Sequence, residues 1–203
     1  PATPGYQAQE IKGFSFNPDS AMALLKEAGY AEGEEFPVLT IQINDGNPTA
    51  LDVAEAVQKM LDRYLGITVE LSVLPRDKHY EEVELGNVRI WRDGWIADYP
   101  DPENFLKLFH GKLVPDDSVK ASYLNTVRFK NEKFDSFFEK STMESNPGER
   151  MKLLYYADSV IVETAAVAPL YYEEWVWLVS KRVENLAVSP MGQLDLGKVY
   201  FSD

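Results

Sequence analysis

A single carboxylate, Asp98, stands between two aromatic rings in the segment Gly94-Trp95-Ile96-Ala97-Asp98-Tyr99-Pro100-Asp101-Pro102. A ligand ammonium could pair with Asp98 while Trp95 and Tyr99 supply flat apolar walls, and a charged hydrogen bond of this kind contributes about 1.5 to 3 kcal/mol. Arg92, three residues before Trp95, could receive a carboxylate from an elongated ligand. Plainer readings stand beside these. The rings could be ordinary core or surface aromatics, Asp98 the cap of a turn, and Arg92 an exposed arginine. A third reading pairs Asp98 with Asp101 as acid and base, as in glycoside hydrolysis, although Asp101 fits better as a helix cap.

Other chemistries lack their residues. The chain has no cysteine, which removes disulfides, thiol catalysis and thiolate metal sites. His79 and His110 lie far apart without HxH or HExxH spacing and are expected on the surface. GxSxG, GxGxxG and GxxxxGK followed by Ser or Thr are all missing, so acyl transfer, dinucleotide binding and P-loop phosphate binding have no support. We expect no enzyme, no cofactor and no metal. The string Tyr171, Tyr172, Trp175 and Trp177 could line a second ligand surface, but aromatics in strands are more often core.

These side chains need elements to hold them. Asn17-Pro18 predicts a helix burying Ala21, Leu24, Leu25 and Ala28 up to Gly29. Val38 to Ile43 alternates as a strand, and a turn at Asn44 to Pro48 leads to a helix over Thr49 to Leu65, stopped by Gly66. Ile67, Val69, Leu71 and Val73 alternate as a second strand, completing a βαβ unit with a parallel pair. A short helix from Asp77 to Leu85 and a third strand from Val88 to about Ala97 then deliver the chain to Asp98. In open α/β sheets ligands settle beyond such strand ends.

After Asp98 a helix is expected with Asp101 as cap, Pro102 in the first turn and Phe105, Leu108 and Phe109 as its apolar face, up to Gly111. Lys112 to Lys130 shows no period. Two more helices should bury Phe134, Phe137 and Phe138 after Asn131, and Met151, Leu154, Tyr155 and Ile161 after Pro147; Ala166 to Val179 reads as strand.

The 203 residues suffice for one sizeable core, and 45% hydrophobic with 26% charged residues matches ordinary globular proteins. A net charge of -13 repels phosphate backbones and anionic headgroups, so nucleic acid and membrane surfaces are poor partners. No apolar run approaches the roughly 20 residues of a membrane helix. The chain begins Pro1-Ala2-Thr3-Pro4 without a charged and apolar leader, and Pro1 to Phe16 has no steady period. We therefore expect a mature, soluble piece whose first residues are a severed connection.

Gly94 to Pro102 followed by Asn104-Phe105-Leu106 resembles the family 5 solute-binding proteins of ABC importers. Further matching stretches run in order: Asn17-Pro18-Asp19 to Leu24-Leu25-Lys26-Glu27-Ala28-Gly29-Tyr30, Leu65 to Leu71, Asn131 with Phe134-Asp135, Arg150, Leu154-Tyr155, Pro169-Leu170-Tyr171 and Asp195. The resemblance covers nearly the whole chain. It departs from the commoner pattern at Arg89 and Trp91, which could reshape a pocket.

The resemblance implies an α/β fold of the type II periplasmic-binding kind, with a mixed sheet flanked by helices. The domains would be a connecting segment over 1–16, a ligand-binding lobe over 17–174, and a segment over 175–203 returning to a missing N-terminal lobe. It implies a short peptide as ligand, Asp98 receiving its α-ammonium, Trp95 as pocket wall, and Arg92 meeting the ligand carboxylate as in some members. It further implies a periplasmic or cell-surface location and ABC permease subunits as partners. A non-peptide solute such as an oligosaccharide or nickel complex is the alternative within the family, and the carboxylate hydrolase the alternative outside it.

Overall fold

Asn17-Pro18 and Asn47-Pro48 open two helices by the same device. Asn17 caps α1 (Pro18–Glu27) by accepting from the Ser20 amide at 3.0 Å, and Asn47 caps α2 (Pro48–Leu65) by accepting from the Ala50 amide at 3.0 Å. The proline that follows sits where a helix has no use for an N–H donor. Gly66 ends α2 in the left-handed region at φ 65°, handing its own N–H to Asp62.

The computed structural model describes residue 6 and residues 11–30, 36–172, 174, 176–189 and 192–202. They cluster into two bodies, one from Gly13–Trp95 and Leu108–Asn131, the other from Pro1–Lys12, Ile96–Lys107 and Glu132–Asp203.

The first body is built on a parallel sheet of β1 (Leu39–Asn44), β2 (Val69–Leu74) and β3 (Ile90–Trp91), in the order β2-β1-β3. β1 pairs with β2 from Leu39↔Val69 to Asn44↔Leu74, and α2 is the crossover between them, as the βαβ pattern requires. Because side chains alternate, Ile41 and Ile43 face a core shared with Leu25, Ala54, Ile67 and Val69. Gln42 therefore faces the opposite way, where its Nε2 lies 3.1 Å from Nδ1 of His79 on α3 (Arg76–Leu85).

His79 is thus fully buried, not a surface residue as its sequence context suggested. The spacing of His79 and Val83 by one helical turn puts both on the buried side of α3. Burial favours the neutral ring and holds the imidazole below its usual pKa, against the opposing pull of the Asp93 charge. In α1 only Leu25 is buried; Leu24 is 60% exposed and Ala28 is exposed, so the apolar face is narrower than its sequence.

The third strand is shorter than its apolar sequence predicts. Ile90 and Trp91 pair with Ile41 and Gln42, and one further bond runs from the Arg92 amide to the Gln42 carbonyl at 2.9 Å. Asp93 then turns its carboxylate onto the Gly94 amide at 2.7 Å, which satisfies that donor locally and ends the ladder. Arg92 and Trp95 consequently do not share a strand.

The second body rests on α5 (Glu132–Met143) and α6 (Pro147–Glu163), which pack together around Phe134, Phe138, Leu154, Ala157, Val160 and Ile161. Asn146 caps α6, accepting from the Gly148 and Glu149 amides. Against α6 lies α4, only Glu103–Leu106, followed by 3-10 turns at Lys107–Phe109 and Gly111–Leu113. The predicted single helix to Gly111 is therefore broken, and its buried positions are Asn104 and Leu106, whereas Phe105 is 41% exposed.

Short strands β4 (Val183–Glu184), β5 (Ala187–Val188), β6 (Leu194–Asp195) and β7 (Tyr200–Phe201) pair antiparallel as β4 with β7 and β5 with β6. The expected strand over 166–179 does not form among the described residues. Its apolar side chains find no strand to pair with: Tyr172, Val176 and Leu178 are exposed, the last completely, and Tyr171 and Trp177 partly. The described members of the aromatic string are thus not core, and Trp175 lies outside the described residues.

Candidate functional site around Asp98

Asp98 sits on the link between β3 and α4, in the body built on α5 and α6. Its side chain is 65% exposed. It is nevertheless held. The Asp98 amide donates to Oδ1 of Asn104 at 3.2 Å, and Nδ2 of Asn104 donates back to Oδ2 of Asp98 at 3.1 Å. Asn104 itself is fully buried. A polar side chain at that depth costs stability unless its donors and acceptors are used, and these two bonds use one of each.

Tyr99 and Asp98 are brought together through Lys107. The Lys107 ammonium lies 4.0 Å from Oδ2 of Asp98, 5.2 Å from the centre of the Tyr99 ring and 3.5 Å from the Tyr99 hydroxyl. That hydroxyl donates to Glu103. Tyr99 is 40% exposed. Both protein donors near Asp98 meet the same oxygen, Oδ2, and no donor among the described residues meets Oδ1.

Asp101 has a different task. Arg150 grips it with both terminal nitrogens, Nη1 to Oδ2 at 2.7 Å and Nη2 to Oδ1 at 3.0 Å, which ties the turn before α4 to α6. The Glu103 amide also donates to Oδ1 at 2.9 Å, so the cap reading of Asp101 holds locally. Burial pushes this carboxyl upward, but the Arg150 hydrogen bonds, the Glu103 amide and the guanidinium charge outweigh it and hold the pKa below the usual value. Asp101 is therefore an ionised structural anchor.

Arg92 and Trp95 belong to the sheet-bearing body. Arg92 is half-buried one residue beyond β3, with its guanidinium 3.7 Å from where a Cβ on Gly94 would stand. Trp95 is 40% exposed, not a core tryptophan. Sequence reasoning gave no role to Asn104, Lys107 or the pairing of Arg150. A signal did exist for Asn104: an asparagine in the first turn of an otherwise apolar Phe-Leu helix start competes with the helix unless its side chain has work elsewhere.

The family model for bacterial extracellular solute-binding proteins, family 5 (middle), matches residues 1–139. The chain belongs to this family. It is 27% identical over 177 residues to the oligopeptide-binding protein OppA of Bacillus subtilis, which covers 87% of this chain and 31% of the relative. It is 24% identical over 172 residues to the dipeptide-binding protein DppE of Bacillus subtilis, covering 85% of this chain and 29% of the relative. The chain thus spans about three tenths of the length of these curated relatives.

Among solved structures, the OppA of Burkholderia pseudomallei matches with a TM-score of 0.74 and 26% identity over 92% of this chain and 35% of that one. The ABC transporter-associated periplasmic binding protein DppA of Helicobacter pylori, solved with the peptide STSA, matches with a TM-score of 0.71 and 28% identity over 82% of this chain and 30% of that one. The fold is the type II periplasmic-binding α/β fold expected from the sequence. Among the described residues no helix is long and apolar enough to cross a membrane.

Proposed function

We propose that this chain is part of the substrate-binding component of a bacterial ABC importer and captures short peptides outside the cytoplasmic membrane. In this reading Asp98 receives the peptide's α-ammonium, Trp95 and Tyr99 flank it, and Arg92 meets a ligand carboxylate. The observation that carries it is the Asp98 carboxylate, exposed yet oriented by a buried amide, with Oδ1 open to a donor. Residues 17–174 would act as the ligand-binding lobe, and 175–203 would return to a second lobe; the exposed run Val176 to Val179 supports this. Lobes closing on the ligand would exclude water, strengthen the ion pair and present the loaded form to permease subunits.

Binding, not bond cleavage, is the function of this site. The hydrolase reading needs Asp101 as a second working carboxylate, and Arg150 already occupies both its oxygens. A second reading, the same capture device with a non-peptide solute, is favoured by the 27% identity over 185 residues to heme-binding protein A of Haemophilus influenzae.

Calorimetric titration of the full-length protein with a pool of di- to pentapeptides separates the two. We expect saturable binding that drops by about 10- to 100-fold in Asp98→Ala, the loss of one charged hydrogen bond. Full-length protein that ignores every peptide but binds a metal complex, tetrapyrrole or oligosaccharide would keep the family and replace the ligand.

A further inference from the structure

We propose that Asn104 is the positioning residue of the amine-recognising carboxylate: it pins Oδ2 and the backbone amide of Asp98 together and leaves Oδ1 as the acceptor for the ligand ammonium. This inference rests on the peptide reading above and deepens it.

An exposed aspartate on a link without regular structure would sample several rotamers, and fixing one of them on binding would weaken the ligand's hold. Here that cost is met in advance. Asn104 is fully buried in the first turn of α4, and that turn is tied to α6 through Asp101 and Arg150. Its carboxamide accepts from the Asp98 amide and donates to the Asp98 carboxylate. The two bonds close a ring that fixes the side chain relative to its own backbone.

The residue type matters. A carboxamide offers an acceptor and a donor side by side on one rigid plane at any pH. Leucine of similar size offers neither, and ionised aspartate offers no donor to Oδ2 and adds a repelling charge. An amide also orients the carboxylate without neutralising it, so the full negative charge remains for the ligand. Lys107, the nearby cation, approaches the same Oδ2 at 4.0 Å, so the open lone pairs of Oδ1 define one approach direction for an ammonium.

The test uses the full-length protein, with a pool of tri- and tetrapeptides in free-amine and N-acetylated forms, and the variants Asn104→Leu, Asn104→Asp and Asp98→Asn. Thermal unfolding establishes which variants fold, and Asn104→Asp, nearly identical in shape, serves if Asn104→Leu does not. We expect either substitution to weaken free-amine peptides about tenfold, to leave N-acetylated peptides unchanged, and to add nothing in an Asp98→Asn background. A folded Asn104 variant that binds free-amine peptides as wild type does, or loses both forms equally, or adds its loss to that of Asp98→Asn, overturns the positioning role while peptide binding stands. Wild-type protein that binds neither form overturns the peptide reading and this inference with it.

Discussion

The pair Asp101 and Arg150 fastens the turn beside Asp98 to α6. Both side chains are about a quarter exposed, and the bidentate geometry places two charged hydrogen bonds where water competes poorly. Arg150→Met should cost about 1–3 kcal/mol by urea unfolding at neutral pH, since it strands a partly buried carboxylate. The direction of its pH dependence follows from the lowered pKa of Asp101. A carboxyl lowered in the folded state stabilises above its unfolded pKa, near 3.8, and loses that contribution as pH falls through the folded value. The gap between wild type and Arg150→Met should therefore narrow as the pH is taken from about 5 toward about 2.

At the scale of elements, the glycines that stop helices differ in what surrounds them. Gly86 ends α3 at φ +77°, and a Cβ there would come within 2.8 Å of Nε of Arg128, whose guanidinium holds the Glu84 carbonyl at 3.0 Å and the Lys120 carbonyl at 2.7 Å. Gly29, at φ +93°, would meet nothing within 4 Å. Gly86→Ala should cost about 2 kcal/mol and Gly29→Ala about 1, the difference being the displaced arginine. Thermal melts of the two variants would check the order; equal losses would mean that Arg128 moves aside freely.

These stops, and the Asn-Pro starts of α1 and α2, were legible because a cap or a left-handed turn needs a particular residue at a particular place. The βαβ unit was legible for the same local reason. What misled was apolarity without a partner. Ile96, Trp95 and Tyr99 extend the apolar pattern of β3, yet they are exposed. A local pattern cannot distinguish a ring kept in the open from one meant for a sheet. Asp98 was readable as the candidate anchor from its neighbours, but its orientation was not, because Asn104 shares no helical period with it. Asp101 and Arg150 are 49 residues apart, beyond any local rule.

Across the whole molecule the unspent apolar surface is concentrated late in the chain. Val176, Leu178, Leu196, Tyr200 and Phe201 are all more than half exposed. Surface of this kind usually marks a partner or a tendency to aggregate. The isolated 203-residue chain should accordingly self-associate as its concentration rises, and a Val176→Lys, Leu178→Lys double variant should remain monomeric over the same range. Sedimentation velocity would decide, and a monomeric parent chain would show that these side chains are tolerated by water as they stand.

The division of the chain between its two bodies also has an order in time. Residues 13–95 and 108–131 complete the sheet-bearing body, while the segment 96–107 belongs with the described residues after 131. On the ribosome, where chains emerge from the N-terminus at about 5–20 residues per second, the sheet can close while the turn carrying Asp98 is not yet tied to α6. The fastening of its turn waits for α6, because Arg150 must emerge before Asp101 has a partner. The turn that carries Asp98 is thus among the last parts of this polypeptide to be fastened, and a nascent chain stalled before Arg150 would hold a finished sheet and a turn not yet tied to α6.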